Sequence, residues 1–229
     1  MALILAIETS TSSGSVALWS GDKIIGSQYY NIDKSHSSLL HPMIEQLTNN
    51  CQVELQQLDA VALSAGPGSY TGLRIGSSAA KGLCYALDIP LISINTLEAM
   101  AYQIYSHGNP FLYYCPMIDA RRMEVYTLVV NNRFETVRET EPLILDNTSF
   151  GDLLDLGTVA FFGDGSDKFK DLATHTNAVF IESITPDAKE MAVLGAKKYI
   201  EGQFENVVSY EPFYLKEFRI IPTKKSYAG

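Results

Sequence analysis

The sequence predicts an α/β protein made of two similar lobes, each with a mixed five-stranded sheet. Strand-like and helix-like patterns follow one another in the order βββαβα in the first half, and the same order returns less regularly in the second half. No segment rich in glycine, proline or serine separates the halves. We therefore expect a first lobe over residues 1–108, a second, degenerate lobe over 109–220 and a mobile tail over 221–229.

The first half opens with three strand patterns. Residues 3–9 are apolar enough for burial on both faces, residues 15–20 alternate, and residues 23–32 return after a turn at Gly21 and Asp22. A helix is predicted from about residue 35 to residue 49, because apolar side chains recur at helical spacing. Those side chains are Leu39, Leu40, Met43, Ile44 and Leu47.

The remaining patterns complete both halves. A strand ending at Ser64, a glycine-rich loop with a second helix, a strand over Leu91–Asn95 and a helix from Thr96 finish the first lobe. In the second lobe we predict strands over residues 111–119, 123–131, 134–141, 159–162 and 178–182, and helices over residues 149–156 and 186–200. A three-stranded meander that feeds right-handed crossovers is the half-unit of the ribonuclease-H-like fold, which is duplicated in actin and the Hsp70 ATPases.

The most informative motif is GPGSYTGLRIG, which runs from Gly66 to Gly76 between a strand and a helix. Four glycines in eleven residues remove side chains where the backbone turns and where the helix begins. Ser69 and Thr71 can each cap the helix, because a hydroxyl accepts a hydrogen bond from a free N–H of the first turn. This arrangement suits either anion binding or very close helix packing.

The two standard phosphate-binding loops do not match this motif. A Walker loop requires a lysine after its last glycine, but Leu73 stands there and the nearest lysine is Lys81. The dinucleotide pattern G-x-G-x-x-G fails as well, because the third glycine comes one residue too late.

A serine hydrolase is an alternative interpretation of the same region. The residues around Ser64 resemble a nucleophile elbow at the end of a strand, with alanine in place of the first glycine. In that hypothesis Ser64 is the nucleophile, His175 the base and Asp155 the acid that orients the base. Pro67 and Gly68 argue against it, since the helix should begin directly after the serine.

The helix after the loop carries a stripe of small residues at every fourth position. The stripe consists of Gly72, Gly76, Ala80 and Cys84, flanked by Leu73 and Leu83. Small side chains on one ridge allow another backbone to approach closely. Both a helix contact within the subunit and an interface between subunits explain this pattern.

The composition is that of a globular protein without a membrane span or signal peptide. Hydrophobic residues make up 46% of the chain and charged residues 19%, and the net charge is −9. An acidic balance argues against binding nucleic acid alone, because such binding depends on neutralising phosphates. Three widely spaced cysteines without a C-x-x-C pair indicate reduced thiols, a cytoplasmic location and no zinc site.

Several motifs together resemble the TsaB (YeaZ) family, glycoprotease-like proteins of threonylcarbamoyladenosine synthesis on tRNA. They are ILAIETST from Ile4, the His36-Ser pair with Leu39-Leu40, GPGSYTGLRIG, DARR from Asp119 with EVY from Glu124, and FGDG from Phe162. The resemblance is dense from residue 1 to about residue 105 and sparser beyond, and the glycine-loop motif is its most specific part.

The resemblance implies a non-catalytic scaffold. Such a subunit binds and activates a TsaD-like transferase, is joined by a TsaE-like ATPase, pairs with itself when alone, and meets tRNA only indirectly. The older description of the family as peptidases is a further alternative. It lacks support in this sequence, which shows neither a metal site nor a credible Cys–His pair. The implied partner-binding residues are His36, Leu39, Leu40, Met43, Gly72, Leu73, Gly76, Ala80 and Leu83.

The residues that an ATPase of this fold would need are replaced. Such an enzyme binds phosphate on two glycine-containing turns, each opened by an acid at the end of a first strand. Glu8 and Thr9 open the first turn, which reaches glycine only at Gly14, and Asp119 and Arg121 open a second turn without glycine. We interpret Glu8 as a polar strand end and expect no nucleotide cofactor.

A metal site is not expected either. The TsaD-like catalytic subunit carries a His-x-x-x-His metal pair on its first helix. In this chain His36 and His41 lie five residues apart. At 100° per residue their side chains point about 140° apart around the helix, so they cannot share one metal ion.

Overall fold

The computed structural model describes residues 2–31 and 36–215, and in this part of the chain it contains two five-stranded sheets flanked by six α-helices. The strands are β1 (Leu3–Glu8), β2 (Ser13–Ser20), β3 (Lys23–Asn31), β4 (Ala60–Gly66), β5 (Leu91–Asn95), β6 (Tyr113–Asp119), β7 (Glu124–Asn131), β8 (Thr136–Ile144), β9 (Val159–Phe162) and β10 (Ala178–Ile181). The helices are α1 (His36–Asn50), α2 (Tyr70–Leu87), α3 (Thr96–Tyr105), α4 (Gly151–Leu154), α5 (Asp167–Lys170) and α6 (Ala188–Ile200).

The two sheets have the same topology, which confirms the predicted duplicated fold. The first has the strand order β3-β2-β1-β4-β5 and the second β10-β9-β6-β7-β8. In each lobe the first three strands pair antiparallel and the later strands add in parallel. Strand β1 lies at the centre of its sheet, which explains its unbroken apolar sequence.

The predicted element boundaries were close, with local differences. Strand β8 extends to Ile144, three residues beyond the predicted end. The short helix α5 and a 3₁₀ turn at Leu55–Gln57 were not predicted, because segments of three or four residues carry too little periodicity. The predicted tail over residues 221–229 lies outside the described residues.

The last helix of each half packs on the sheet of the other half. Helix α6 covers the first sheet so closely that a Cβ added at Gly195 would lie 2.8 Å from the Cβ of Ala62. Helix α3 covers the second sheet, where Leu97 and Met100 join the core beside Phe162. A boundary at residue 108 therefore falls between the two sheets, but each hydrophobic core includes a helix from the other side of that boundary. The division into two lobes at residue 108 remains a proposal.

The opposite face of the first sheet is covered by α1 and α2. Their buried side chains join β1 and β4 in one core, in which Leu40, Met43 and Ala80 contact the region of Leu5 and Leu63. The two helices lie side by side with their outer faces exposed.

The C-terminal segment, residues 203–215, returns across the first lobe to the glycine loop. The Lys81 ammonium donates hydrogen bonds to the carbonyls of Val208 and Tyr210, at 3.1 and 3.0 Å. Further on, the N–H of Phe213 donates to the carbonyl of Ala65 at 2.7 Å. The described chain therefore ends beside the N-terminus of α2.

Candidate functional site

The glycine loop packs against the turn between β1 and β2. The N–H of Ser69 donates to the carbonyl of Ser10 at 2.6 Å, and the hydroxyl of Thr9 donates to the carbonyl of Gly72 at 2.8 Å. A Cβ at Gly68 would collide with the Ser10 carbonyl, and one at Gly72 with the Thr9 carbonyl. The four-glycine motif therefore serves close packing within the subunit, which was one of its two predicted uses.

This packing buries the start of the first turn, whereas Thr11 is half-buried and Ser12 is exposed. Glu8, Thr9 and Ser10 are each at most 1% exposed, and the N–H of Ser10 donates to Oε1 of Glu8 at 2.5 Å. The other carboxyl oxygen, Oε2, has no hydrogen-bond partner among the described residues. Burial raises the pKa of Glu8 to about 7, despite the hydrogen bonds from Ser10 and Ser64. Glu8 is thus a buried acid and not merely a polar strand end.

The equivalent turn of the second lobe is exposed. Arg121 and Arg122 both have positive φ angles, +73° and +51°, although such angles favour glycine. Asp119 accepts hydrogen bonds from the N–H of Arg121 at 2.5 Å and from the ammonium of Lys168 at 2.6 Å. Both arginines lie at the surface.

The stripe of small residues on α2 faces inward, so its assignment to a partner surface was wrong. Gly72, Leu73, Gly76 and Ala80 are all buried. A Cβ at Gly76 would collide with the hydroxyl oxygen of Thr9 and lie 3.8 Å from Cγ2 of Ile7. The small residues thus bring α2 onto its own sheet, and the alternative explanation within the subunit is correct.

The predicted interface residues of α1 mostly face inward as well. Leu40 and Met43 are buried in the core, and Leu39 packs against it. His36 is half-buried, and its Nε2 lies 2.7 Å from the carbonyl oxygen of Thr11. The apolar periodicity of α1 marked the side that faces the protein's own core. Apolar side chains are typical both of a core and of an interface with another protein, so the pattern alone could not tell the two apart.

An open groove of about 650 Å³ runs between the outer faces of α1 and α2. Its lining residues are Ser37, His41, Tyr70, Thr71, Arg74, Ile75, Ser78, Ala79, Gly82 and Leu83. Leu83 is the one residue of the predicted interface that lines it. The others were missed because the prediction followed the small-residue stripe and the main apolar face of each helix, whereas the groove mixes apolar residues such as Ile75 and Ala79 with hydroxyl and charged ones.

The groove wall is ordered by a stack of three side chains. The Arg74 guanidinium carbon lies 4.5 Å from the ring centroid of Tyr70, and the ring of Tyr214 lies 4.7 Å from the same ring. A Cβ at Gly82 would meet nothing within 4 Å. The groove therefore has an ordered edge at the N-terminus of α2, formed by the Tyr70–Arg74 stack. Further along the same helix its lining residues are small, as at Gly82.

The serine hydrolase hypothesis does not match the geometry. Ser64 is 2% exposed, and its hydroxyl oxygen accepts a hydrogen bond from the N–H of Thr9 at 3.4 Å. His175 does lie near Asp155, at 3.6 Å, but its other ring nitrogen accepts from the N–H of Asn177 in the second lobe. Both nitrogens of the expected base are thus engaged away from Ser64.

Within residues 2–31 and 36–215, no three histidine, cysteine or acidic side chains are grouped closely enough to hold a metal ion. In the same part of the chain, no helix is both long and apolar enough to cross a bilayer. His36 contacts the β1–β2 turn, whereas His41 lines the groove, so the two rings point to different places.

Comparison with curated proteins gives matches along nearly the whole chain. The chain is 30% identical over 219 residues to the tRNA threonylcarbamoyladenosine biosynthesis protein TsaB of Escherichia coli, covering 93% of this chain and 94% of that protein. It is also 39% identical over 125 residues to the Bacillus subtilis protein of the same name, covering 54% and 53% of the two chains. The chain belongs to the TsaB family. The resemblance inferred from the motifs is thereby confirmed.

Solved structures agree with this assignment. YeaZ from Pseudomonas aeruginosa matches with a TM-score of 0.81 at 27% identity, covering 94% of this chain and 100% of that one. The family model described as TsaD, tRNA N6-adenosine threonylcarbamoyltransferase, matches residues 24–219. The chain thus shares its fold with the transferase family.

Proposed function

We propose that the chain is a non-catalytic subunit of threonylcarbamoyladenosine synthesis on tRNA, which binds and activates a TsaD-like transferase through the α1–α2 groove. The observation that carries this proposal is the groove itself, an open surface between two helices with Gly82, Ser78 and Ala79 along its floor. Small side chains at these positions allow a helix of another protein to approach closely.

The two turns at which an ATPase of this fold would bind phosphate also support a scaffold role. The first phosphate turn is filled by the glycine loop, and the second presents side chains where backbone N–H groups would have to approach phosphate. We expect the isolated chain not to bind Mg-ATP with low-micromolar affinity. Calorimetric titration that reveals such binding would contradict this part of the proposal.

The groove also supports self-association when the transferase is missing. A second copy can lay the same helices into the groove, which gives a symmetric pair that the transferase displaces. We further propose that a TsaE-like ATPase joins the heteromer, that the complex acts in the cytoplasm, and that tRNA contacts this subunit indirectly. The net charge of −9 supports the last point.

Substitution of Gly82 by arginine tests the interface. Its Cβ would meet nothing within 4 Å, and arginine favours a helix more than glycine does, so we expect Gly82→Arg to fold normally. The long side chain would then fill the groove and weaken binding of the TsaD-like subunit about a hundredfold or more. Isothermal titration measures the affinity, and thermal melting of the same sample checks the fold.

Gly151→Arg is the matched control. Gly151 lies in the second lobe, and a Cβ there would also meet nothing within 4 Å. We expect this variant to bind the transferase normally and to restore threonylcarbamoyladenosine in cells that lack the native subunit, whereas Gly82→Arg should not. Normal transferase binding by a folded Gly82→Arg variant would refute the proposed interface.

A further inference from the structure

Charge is distributed unevenly between the groove and the rest of the protein. The chain has a net charge of −9, yet none of the ten residues that line the groove is acidic. Arg74 and His41 are its two basic members. The next acids on these helices, Glu45 on α1 and Asp88 after α2, do not line the groove.

Arg74 is held in place without an opposite charge. Its guanidinium stacks on Tyr70, which in turn contacts Tyr214 at the end of the C-terminal segment. Among the described residues Arg74 forms no ion pair with a carboxylate, and it is exposed to solvent. The stack therefore presents a preorganised cation at the edge of the groove.

We infer that Arg74 determines which protein occupies the groove, favouring a partner helix with an aspartate or glutamate opposite Arg74 over a second copy of this chain. The inference rests on the proposed function of the groove and specifies the chemistry of its partner.

The physical reason is the cost of covering an unpaired charge. A carboxylate from the partner can bind the planar guanidinium with two hydrogen bonds, which adds both affinity and orientation. A second copy that docks groove to groove brings the same lining residues, and these include no carboxylate. The groove of such a copy therefore supplies no carboxylate to compensate the desolvation of Arg74, and we expect Arg74 to support transferase binding and to oppose self-association.

Arg74→Ala should therefore change the two associations in opposite directions. We expect the affinity for a purified TsaD-family transferase to fall about tenfold or more, because the partner carboxylate loses its cation. Self-association of the variant should tighten about tenfold, because no charge is left uncompensated in the paired grooves. Sedimentation equilibrium measures self-association, and isothermal titration measures transferase binding.

Two further variants make the test specific. Arg74→Lys keeps the charge, and we expect it to recover part of the transferase affinity while self-association stays weak. Arg133→Ala removes an exposed arginine from a turn of the second lobe and should change neither association. Tyr214→Ala removes the outer ring of the stack, and we expect it to weaken transferase binding less than Arg74→Ala does.

The outcomes separate this inference from the proposed function. If Arg74→Ala weakens self-association as much as transferase binding, or changes neither, the inference is wrong. A weakening of both would point to a cross-subunit pair with Glu45, which Glu45→Gln would then reproduce. The proposed interface itself is wrong if the native chain does not bind the transferase at all. It is also wrong if a folded Gly82→Arg variant binds the transferase as tightly as the native chain does.

Discussion

The start of the turn after β1 is buried, whereas the turn after β6, at the equivalent position of the second lobe, is exposed. In the first lobe, Thr9 and Ser10 lie under the glycine loop and make backbone hydrogen bonds to it. In the second lobe a glycine-containing loop, residues 163–165, contacts only the start of the turn at Asp119, and Arg121 and Arg122 are exposed to solvent. The same topology thus holds a closely packed turn in the first lobe and a solvent-exposed turn in the second.

The difference concerns the two turns at which an ATPase of this fold would bind phosphate. In the first lobe, the backbone of the glycine loop lies directly against the turn, which brings α2 close to its own sheet. In the second lobe, the turn remains open, but side chains replace the glycines that would allow backbone approach. The packed turn belongs to the lobe with the α1–α2 groove, so the packing of α2 on its own sheet also positions the proposed interface.

The largest effect is expected from Gly76→Arg, which would break the packing of the first turn. Its side chain would collide with Thr9 and place a charge in the core, and we expect the free energy of unfolding to fall by about 4 kcal/mol or more. Gly82→Arg on the outer face of the same helix should change it by less than about 1 kcal/mol. Urea denaturation of both variants measures the contrast, and equal destabilisation would show that α2 is oriented differently.

A second effect concerns the two acids that open the turns. Because the pKa of Glu8 is raised from 4.5 to about 7 in the folded protein, the unfolded chain releases this proton first as the pH rises. Stability from Glu8 is therefore fully present below about pH 4.5 and is lost as the pH rises through about 7, a loss of about 3 kcal/mol. We expect Glu8→Gln to remove this loss and to stabilise the protein at pH 8.

Asp119 should show the opposite sign. Partial burial acts to raise its pKa, but the hydrogen bonds from Lys168 and from the N–H of Arg121 outweigh it and lower the pKa overall. Its contribution is present above the unfolded pKa and is lost as the pH falls through the folded value. Asp119→Asn should thus destabilise the protein slightly at pH 8. Denaturation curves across this pH range would contradict the comparison if both variants shifted stability in the same direction.

The smallest effect is expected in the exposed turn. A left-handed conformation costs a non-glycine residue roughly 1–2 kcal/mol, and glycine loses about 0.5–1 kcal/mol more backbone entropy on folding. Arg121→Gly and Arg122→Gly should therefore each stabilise the protein by up to about 1 kcal/mol. A chemical denaturation series with Arg133→Gly as control tests this, and destabilisation would mean that the arginine side chains make stabilising contacts.

Much of the fold could be predicted because its signals are local or repeated. The apolar run of β1, the alternation in β2 and the helical spacing in α1 each report one element, and their order indicated the duplicated architecture. The exchange of α3 and α6 between the sheets could not be predicted. Both helices are amphipathic, and nothing in their sequences says which sheet they cover.

The sequence predicted which two helices form the candidate site, but not which face of each helix is exposed. The glycine motif correctly indicated close packing around α2, yet the partner was Thr9 of the same chain and not another subunit. Tyr70, Arg74 and Gly82 carried no signal of their own, because single exposed residues on a helix look like ordinary solvated surface.

The sequence by itself determined the order of the elements, the family and the replacement of the phosphate-binding residues, since each of these depends on residue identity along the chain. Only the tertiary structure decided which side of α2 is free. Small residues allow close approach to any backbone, and whether that backbone is the protein's own sheet or another protein depends on how α2 is rotated. That rotation is set by contacts between Gly72 or Gly76 and Thr9, more than sixty residues away in the sequence.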